Sequence, residues 1–264
     1  MENRINDILD RLENDELNRK KIYKYHRINK FLNDLLINNE IWCAGPYTFN
    51  DPFDCNLTID GNNTADQIRK YFKVANWNNS KDNDEDIQRL INTDFQDKEA
   101  FQKKINSISR KIIQKMGLAC FTQTKDNLLM WAHYTEDHKG ICLEFDHTKD
   151  LEFFRPLKKV IYDQKYPIYN YYDDQKNVVG QLMLHKSKHW KYERELRLIK
   201  KKTGLYRFDP GSLTAIYFGV RTPDEQIKTI KNLVHEQEKY KNVKLFKGTI
   251  DTKDYKLIFE QIKK

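Results

Sequence analysis

The chain has 264 residues, enough to bury a sizeable core; 12% of them are aromatic, which argues against disorder despite a 33% charged content. A formal net charge of +8 admits an anionic partner such as nucleic acid, but the 47 Lys and Arg are spread along the chain and do not select one. The apolar runs fall far short of the ~20 residues a bilayer requires, and no stretch has the pattern of a leader peptide, so a cytoplasmic location without membrane partner is expected.

Residues 1–20 carry Ile5, Ile8, Leu9, Leu12 and Leu17 near helical spacing and predict an amphipathic helix. IYKYHRI, from Ile22 to Ile28, predicts a first strand. Asn29 then caps a helix, KFLNDLLINN, with Phe31, Leu32, Leu35 and Leu36 as one stripe. EIWCAGP predicts a short strand ended by Gly45-Pro46, and the Asn-Asp-Pro turn of YTFNDPFDCN follows. Residues 62–117 are rich in Asn, Asp, Gln and Lys and predict a helical insertion within a single domain, either a lid or a partner surface. LACFTQ, GICLEF, KKVIYD and ERELRLI predict further strands, with a helix over Lys176–Lys188. The C-terminal part predicts a strand from Leu213 to Gly219, a helix from Pro223 to Tyr240 and two short strands around Lys244–Phe259. Since βαβ alternation is not sustained, the fold class is α+β with a mixed or antiparallel sheet.

Cys43, Cys55, Cys120 and Cys142 lie singly in apolar contexts with no zinc spacing, and are expected to be buried free thiols. Pairing Cys120 or Cys142 with His133 as a nucleophile would need a depressed thiol pKa, which apolar surroundings oppose. His133 and His138 are five apart, the wrong spacing for two ligands on one helical face, and no metal is expected.

Four constellations can carry chemistry. WKYERELRLI, taken as one strand, puts Glu193, Glu195 and Arg197 on one face while Leu196 and Leu198 anchor the other in a core. Eight Lys and Arg lie between Leu184 and Lys202 against those two Glu, which favours ionised carboxylates and argues against a general base. An anionic Glu suits a ribose hydroxyl and a cationic, oxocarbenium-like transition state; a ladder of Glu–Arg pairs on an exposed strand explains the same spacing. In YKYHRI, Tyr23, Tyr25 and Arg27 share one face and Lys24 and His26 the other, and an Arg at a strand–helix junction can grip a pyrophosphate. In the segment Ala119–Asp146, a helix capped by Asp126 or Asn127 places Trp131 and Tyr134 three apart, which serves a flat ligand or a packed core equally. In NDPFD, Asp54 is available to a cation such as Arg27. A magnesium nuclease built on Asp51, Asp54, Glu193 and Glu195 is a remoter reading.

The pieces IYKYHRI, EIWCAGPYTFNDPFDC, ACFTQTKDNLLMWAHYTEDHKGICLEFD, KVIYD and WKYERELRLI, extending over most of residues 22–200, resemble the bacterial domain-of-unknown-function 2971 family. More distantly, the order of strand with a polar anchor, helix, aromatic segment and strand opening on a Glu is similar to the ADP-ribosyltransferase fold. That resemblance implies NAD as substrate, with Arg27 (or His26 or Tyr25) as its anchor. It further implies Tyr134 and Trp131 around the nicotinamide, with His133 and Asp54 nearby, and Glu195 (or Glu193) as the catalytic carboxylate. It implies transfer of ADP-ribose to a nucleic-acid or protein acceptor, in phage defence or as a toxin. No Ser-Thr-Ser element follows the middle strand, where that superfamily has one. A non-catalytic nucleotide- or partner-binding module of a defence system is the other function these residues admit.

Overall fold

The computed structural model describes residues 19–56, 59–60, 64–74, 88–89, 91–92, 97–166, 168–170 and 178–263. The helix expected over 1–20 lies outside them, Arg19 and Lys20 excepted. In chain order the elements are β1 (Lys21–His26), α1 (Lys30–Asn38), β2 (Glu40–Cys43), β3 (Ile59–Asp60), α2 (Ala65–Val74), α3 (Lys98–Ile113) and β4 (Gly117–Thr122). There follow α4 (Leu128–Tyr134), β5 (Ile141–Asp146), α5 (Leu151–Phe154), β6 (Leu157–Lys159), β7 (Ile161–Asp163), β8 (Tyr169–Asn170), α6 (Val178–Leu184) and β9 (His185–Ser187). The chain continues with β10 (Glu195–Lys200), β11 (Gly204–Arg207), β12 (Leu213–Phe218), α7 (Asp224–His235), β13 (Lys244–Ile250) and β14 (Leu257–Gln261).

Eight strands form one sheet in the order β14-β13-β12-β5-β1-β4-β10-β6. Its pairs are antiparallel except for the parallel β12–β13 pair, so the fold is α+β with a mixed, mostly antiparallel sheet. β1 and β5 stay in register over six pairs, from Lys21–Asp146 to His26–Ile141. β1 and β4 meet in register only at Tyr23 and Thr122. Beside that narrow seam the Lys24 ammonium donates to the Cys120 carbonyl at 3.1 Å.

Alternation along the strands sends Ile22, Leu143, Phe145, Leu196, Leu198, Ile216 and Phe218 to one face. There α1 covers them with Leu32, Leu35 and Leu36, and α7 with Ile230 and Val234. Asn29 starts α1 as expected, accepting the N–H groups of Phe31 and Leu32. Phe31 itself faces outward, 60% exposed, and is not part of the buried stripe. The first turn of α1 directs that side chain away from the sheet. On the opposite face Tyr25, Met130, Trp131, Cys142, Ala215 and Tyr217 pack as a second cluster. A third gathers Ile105, Ile112 and Ile113 of α3 with Leu182, Met183 and Leu184 of α6.

The helix expected over Pro223–Tyr240 ends at His235, and three other segments differ from the sequence reading. The helix expected over 176–188 is described over Val178–Leu184, and His185–Ser187 form β9 beside β7. KKVIYD is two strands broken at Val160, whose N–H bonds the Glu195 carbonyl. WKYERELRLI is not one strand: Lys188–Glu193 is a 3-10 helix, Arg194 takes the left-handed conformation (φ 45°), and β10 begins at Glu195.

A buried carboxylate cluster as candidate functional site

The 3-10 turn moves Glu193 off the strand, and the left-handed Arg194 returns the chain to the sheet. Three bonds hold this turn: the Thr122 hydroxyl donates to the Glu193 carbonyl, Gln123 N–H to the Arg194 carbonyl, and Asn127 Nδ2 to the Tyr192 carbonyl. Asn127 also caps α4, its Oδ1 accepting from Leu129 and Met130 N–H. One side chain thereby fixes both the aromatic helix and the acidic turn. The result sets Tyr134 against Glu193, with the hydroxyl donating to Oε1 at 2.6 Å.

Behind Glu193 lies Lys186 of β9, whose ammonium is 2.5 Å from Glu193 Oε2, 3.0 Å from Glu195 Oε2 and 3.8 Å from Asp54 Oδ2. Asp54 comes from the loop after β2. Asp51 Oδ1 accepts the Phe53 N–H and the Asp51 carbonyl accepts the Asp54 N–H, a side-chain-stabilised turn that aims Asp54 inward. Arg197 closes the cluster, fully buried. Its Nε donates to Glu195 Oε1, Nη2 to Asp54 Oδ2 and Glu195 Oε2, and Nη1 to the Met183 carbonyl and Cys55 Sγ. That uses every N–H a guanidinium has.

Three carboxylates thus face two cations, Lys186 and Arg197, and fully ionised the cluster holds one net negative charge. The two glutamates respond differently. Burial alone would raise Glu195, but Arg197 and Lys186 overcome it and hold that carboxyl at about 2. Burial raises Glu193 above the usual carboxylate range, with Lys186 only partly opposing it and Glu195 adding to the rise. The expectation that nearby cations keep both carboxyls low is met at Glu195 and corrected at Glu193, which burial raises. The alternative of an exposed Glu–Arg ladder is corrected as well, since Glu193, Glu195 and Arg197 are all buried. Burial and then Glu193 raise the Tyr134 phenol, keeping it a neutral donor. Lys186 stays charged because Glu195 and Glu193 outweigh its burial.

Rings flank the cluster on its outer side. Trp190 lies 5.0 Å from the Lys186 ammonium and 6.0 Å from Tyr192, which is in turn 6.5 Å from the exposed His133. The Tyr162 hydroxyl accepts the Glu195 N–H at 2.8 Å.

The structure therefore brings Tyr134, Glu193, Glu195 and Asp54 together and places other candidates elsewhere. Asp54 pairs with Arg197, not Arg27. Arg27 is exposed beyond the end of β1, about 13 Å along and about 10 Å across from the level of Glu195. Trp131 has no exposed surface: its ring packs 5.2 Å from Tyr25 and its Nε1 donates to the Lys125 carbonyl. Tyr25 is buried beside it, and burial lowers His26 to about 4 while its Nδ1 faces the Arg27 carbonyl. Lys186 carried no signal in the sequence beyond its position before the aromatic turn.

All four thiols are free. Burial raises each of them, Cys43 to about 11 and Cys55 to about 12. Among the described residues there is no group of three or more His, Cys, Asp or Glu able to hold a metal ion. No helix among them is long and apolar enough to cross a membrane.

Comparison with curated proteins and with solved structures gave no match. The family model described as Protein of unknown function (DUF2971) matches residues 130–198, running from Met130 on α4 through Glu193, Glu195 and Arg197 to Leu198 on β10. Over those residues the chain is similar to the DUF2971 family.

Proposed function

We propose that the protein is an ADP-ribosyltransferase-like enzyme that cleaves the nicotinamide–ribose bond of NAD, with Glu193 as the catalytic carboxylate. The observation that carries this reading is the Tyr134–Glu193 hydrogen bond at the outer edge of a buried cluster with one surplus negative charge. Heterolysis of that bond leaves the electron pair on the nicotinamide nitrogen, which departs neutral, and positive charge on the ribose. A fixed anion in low-dielectric surroundings stabilises that charge as it develops. Glu193, raised by burial, is then suited to take the proton an acceptor loses as it attacks the ribose carbon. Glu195, held low and clamped by Arg197, positions Lys186 and Glu193 without reacting. Tyr134, Tyr192 and Trp190 supply ring surface for a flat ligand.

The test is nicotinamide release from NAD by the pure protein, with RNA, DNA or protein acceptors added in turn. Glu193→Gln and Tyr134→Phe are expected to fold and to lose turnover. Undiminished release by folded Glu193→Gln would remove the assignment.

A second reading has its own support. Each Arg197 donor and all three carboxylates find partners inside the protein. Such closure suits a rigid, non-catalytic module that binds a nucleotide or partner on its ring surface. No nicotinamide release with any acceptor, together with saturable NAD binding, would favour the module.

A further inference from the structure

A hollow of about 500 Å³ lies away from the carboxylate cluster, between the β13–β14 hairpin and the turn that follows β12. Leu128, Val220, Ile250 and Leu257 give it an apolar floor, and Arg221 and Lys253 stand at its rim. The hairpin's acids are already engaged. Lys256 pairs with Asp251 at 3.4 Å and Asp254 at 2.8 Å, and Asp251 Oδ1 also accepts the N–H groups of Lys253 and Asp254. No ion pair among the described residues engages the Arg221 guanidinium or the Lys253 ammonium. The hollow therefore offers two available cations beside apolar surface. Tyr255, fully exposed on the same hairpin, adds a ring with no neighbour to cover it.

His138, which also lines the hollow, ends a constrained segment. Glu136, Asp137 and His138 are three consecutive residues with positive φ (56°, 57° and 69°), although each carries a Cβ and pays for that conformation sterically. The His138 carbonyl accepts the Arg221 N–H at 3.0 Å, which ties the strained segment to the cationic turn. That approach is open only because residue 219 is Gly: a Cβ there would lie 2.1 Å from the His138 oxygen. The His138 ring stacks at 6.4 Å on Trp131, and its Nδ1 is buried with no hydrogen-bond partner. His138 thus lines the hollow from the end of a strained segment that Gly219 and Arg221 hold in place.

We infer that this hollow binds a nucleotide, its phosphate between Arg221 and Lys253 and its base against the apolar floor and Tyr255. A guanidinium and an ammonium lining one hollow suit a phosphate, and an exposed phenol beside apolar surface stacks a base. The same chemistry is offered by a free mononucleotide and by one unit of a single strand. The inference does not depend on Glu193 chemistry.

The experiment is calorimetric titration with ADP and, separately, with a short oligothymidylate, at low and at high salt. Arg221→Ala and Lys253→Ala are each expected to weaken binding about tenfold or more. Lys103→Ala, which removes a charge from α3 on a distant surface, is expected to change it less than about twofold. Binding of ADP as tight as the oligonucleotide assigns the site to free nucleotides. Binding of the oligonucleotide alone, falling steeply with salt, assigns it to a strand. Glu193→Gln should bind either probe like the parent, so loss of turnover and loss of this site are separable. Lys253, on the exposed hairpin tip, supplies a variant that folds should Arg221→Ala not. No binding of either probe at millimolar concentration, or equal losses in Lys103→Ala and Lys253→Ala, would overturn the inference.

Discussion

The Tyr134 hydroxyl and Glu193 Oε1, 2.6 Å apart, join an aromatic helix to an acidic turn that are 59 residues distant in the chain. Because Glu193 is buried, this bond and the Lys186 contact are what hold its carboxylate in place. Tyr134→Phe keeps the ring and removes only the donor. It should lower stability by about 1–3 kcal/mol, the cost of leaving a buried acceptor short of a partner. Urea unfolding would show the change as a lower midpoint with an unchanged slope.

Arg197 is the member whose loss should cost most. Arg197→Ala leaves Glu195 and Asp54 buried without their guanidinium, and should destabilise by about 3–5 kcal/mol. Adding Glu195→Leu to Arg197→Met removes both charges of one pair. That double variant should be less damaged than the sum of the two single losses, and a double-mutant cycle by chemical denaturation reads the coupling directly.

Acid should act through Glu195 in a definite direction. Its carboxyl is held at about 2 in the folded chain, against an ordinary value of 4.5. A carboxyl lowered by folding supplies stability in full above the ordinary value and loses it as the pH falls through the folded one. Glu195→Gln should therefore be less stable than the parent at pH 7. The two unfolding midpoints should converge as the pH drops from about 4.5 towards about 2. A difference that stayed constant across that window would contradict the assignment.

Gly219→Ala tests the closure of the strained turn. A methyl group there meets the His138 carbonyl at 2.1 Å and the carbon behind it at 2.7 Å, both backbone atoms that cannot swing aside. The variant should lose about 1–3 kcal/mol. Hydrogen exchange at the Arg221 amide, which bonds that carbonyl, should rise with it.

Strands whose alternation meets a real core were legible in the sequence. IYKYH, ICLEFD and the run from Leu213 each place branched or aromatic side chains on a buried face; Asn29 caps its helix as expected, and of the two caps open for α4, Asp126 and Asn127, it is Asn127 that caps it. Alternation misleads at the start of WKYERELRLI. The pattern continues through Trp190–Glu193, but hydrogen bonds from Thr122 and Asn127, remote in sequence, fold those residues into a 3-10 turn. The sequence offers Asp54 a cation such as Arg27, and only the folding of the NDPFD loop against β10 gives it Arg197 instead. Trp131 has the composition of a ligand platform, yet the sheet behind it claims the whole indole. Lys186 could not be singled out among so many lysines, because its role is set by β9 lying beside β7 and next to the Glu193 turn.

The single-rung contact between β1 and β4 has a mechanical consequence. The β14-β13-β12-β5-β1 half and the β4-β10-β6 half are each zipped along several rungs, whereas the ladder between them has the single registered pair Tyr23–Thr122. The join therefore rests on side chains: Phe121 of β4 packs edge-on against Phe145 of β5 at 5.8 Å, and Lys24 bonds the Cys120 carbonyl. Glu195 pairs with that same Thr122, so the acidic centre leans on a join kept shut by shared packing and not by a ladder of amides.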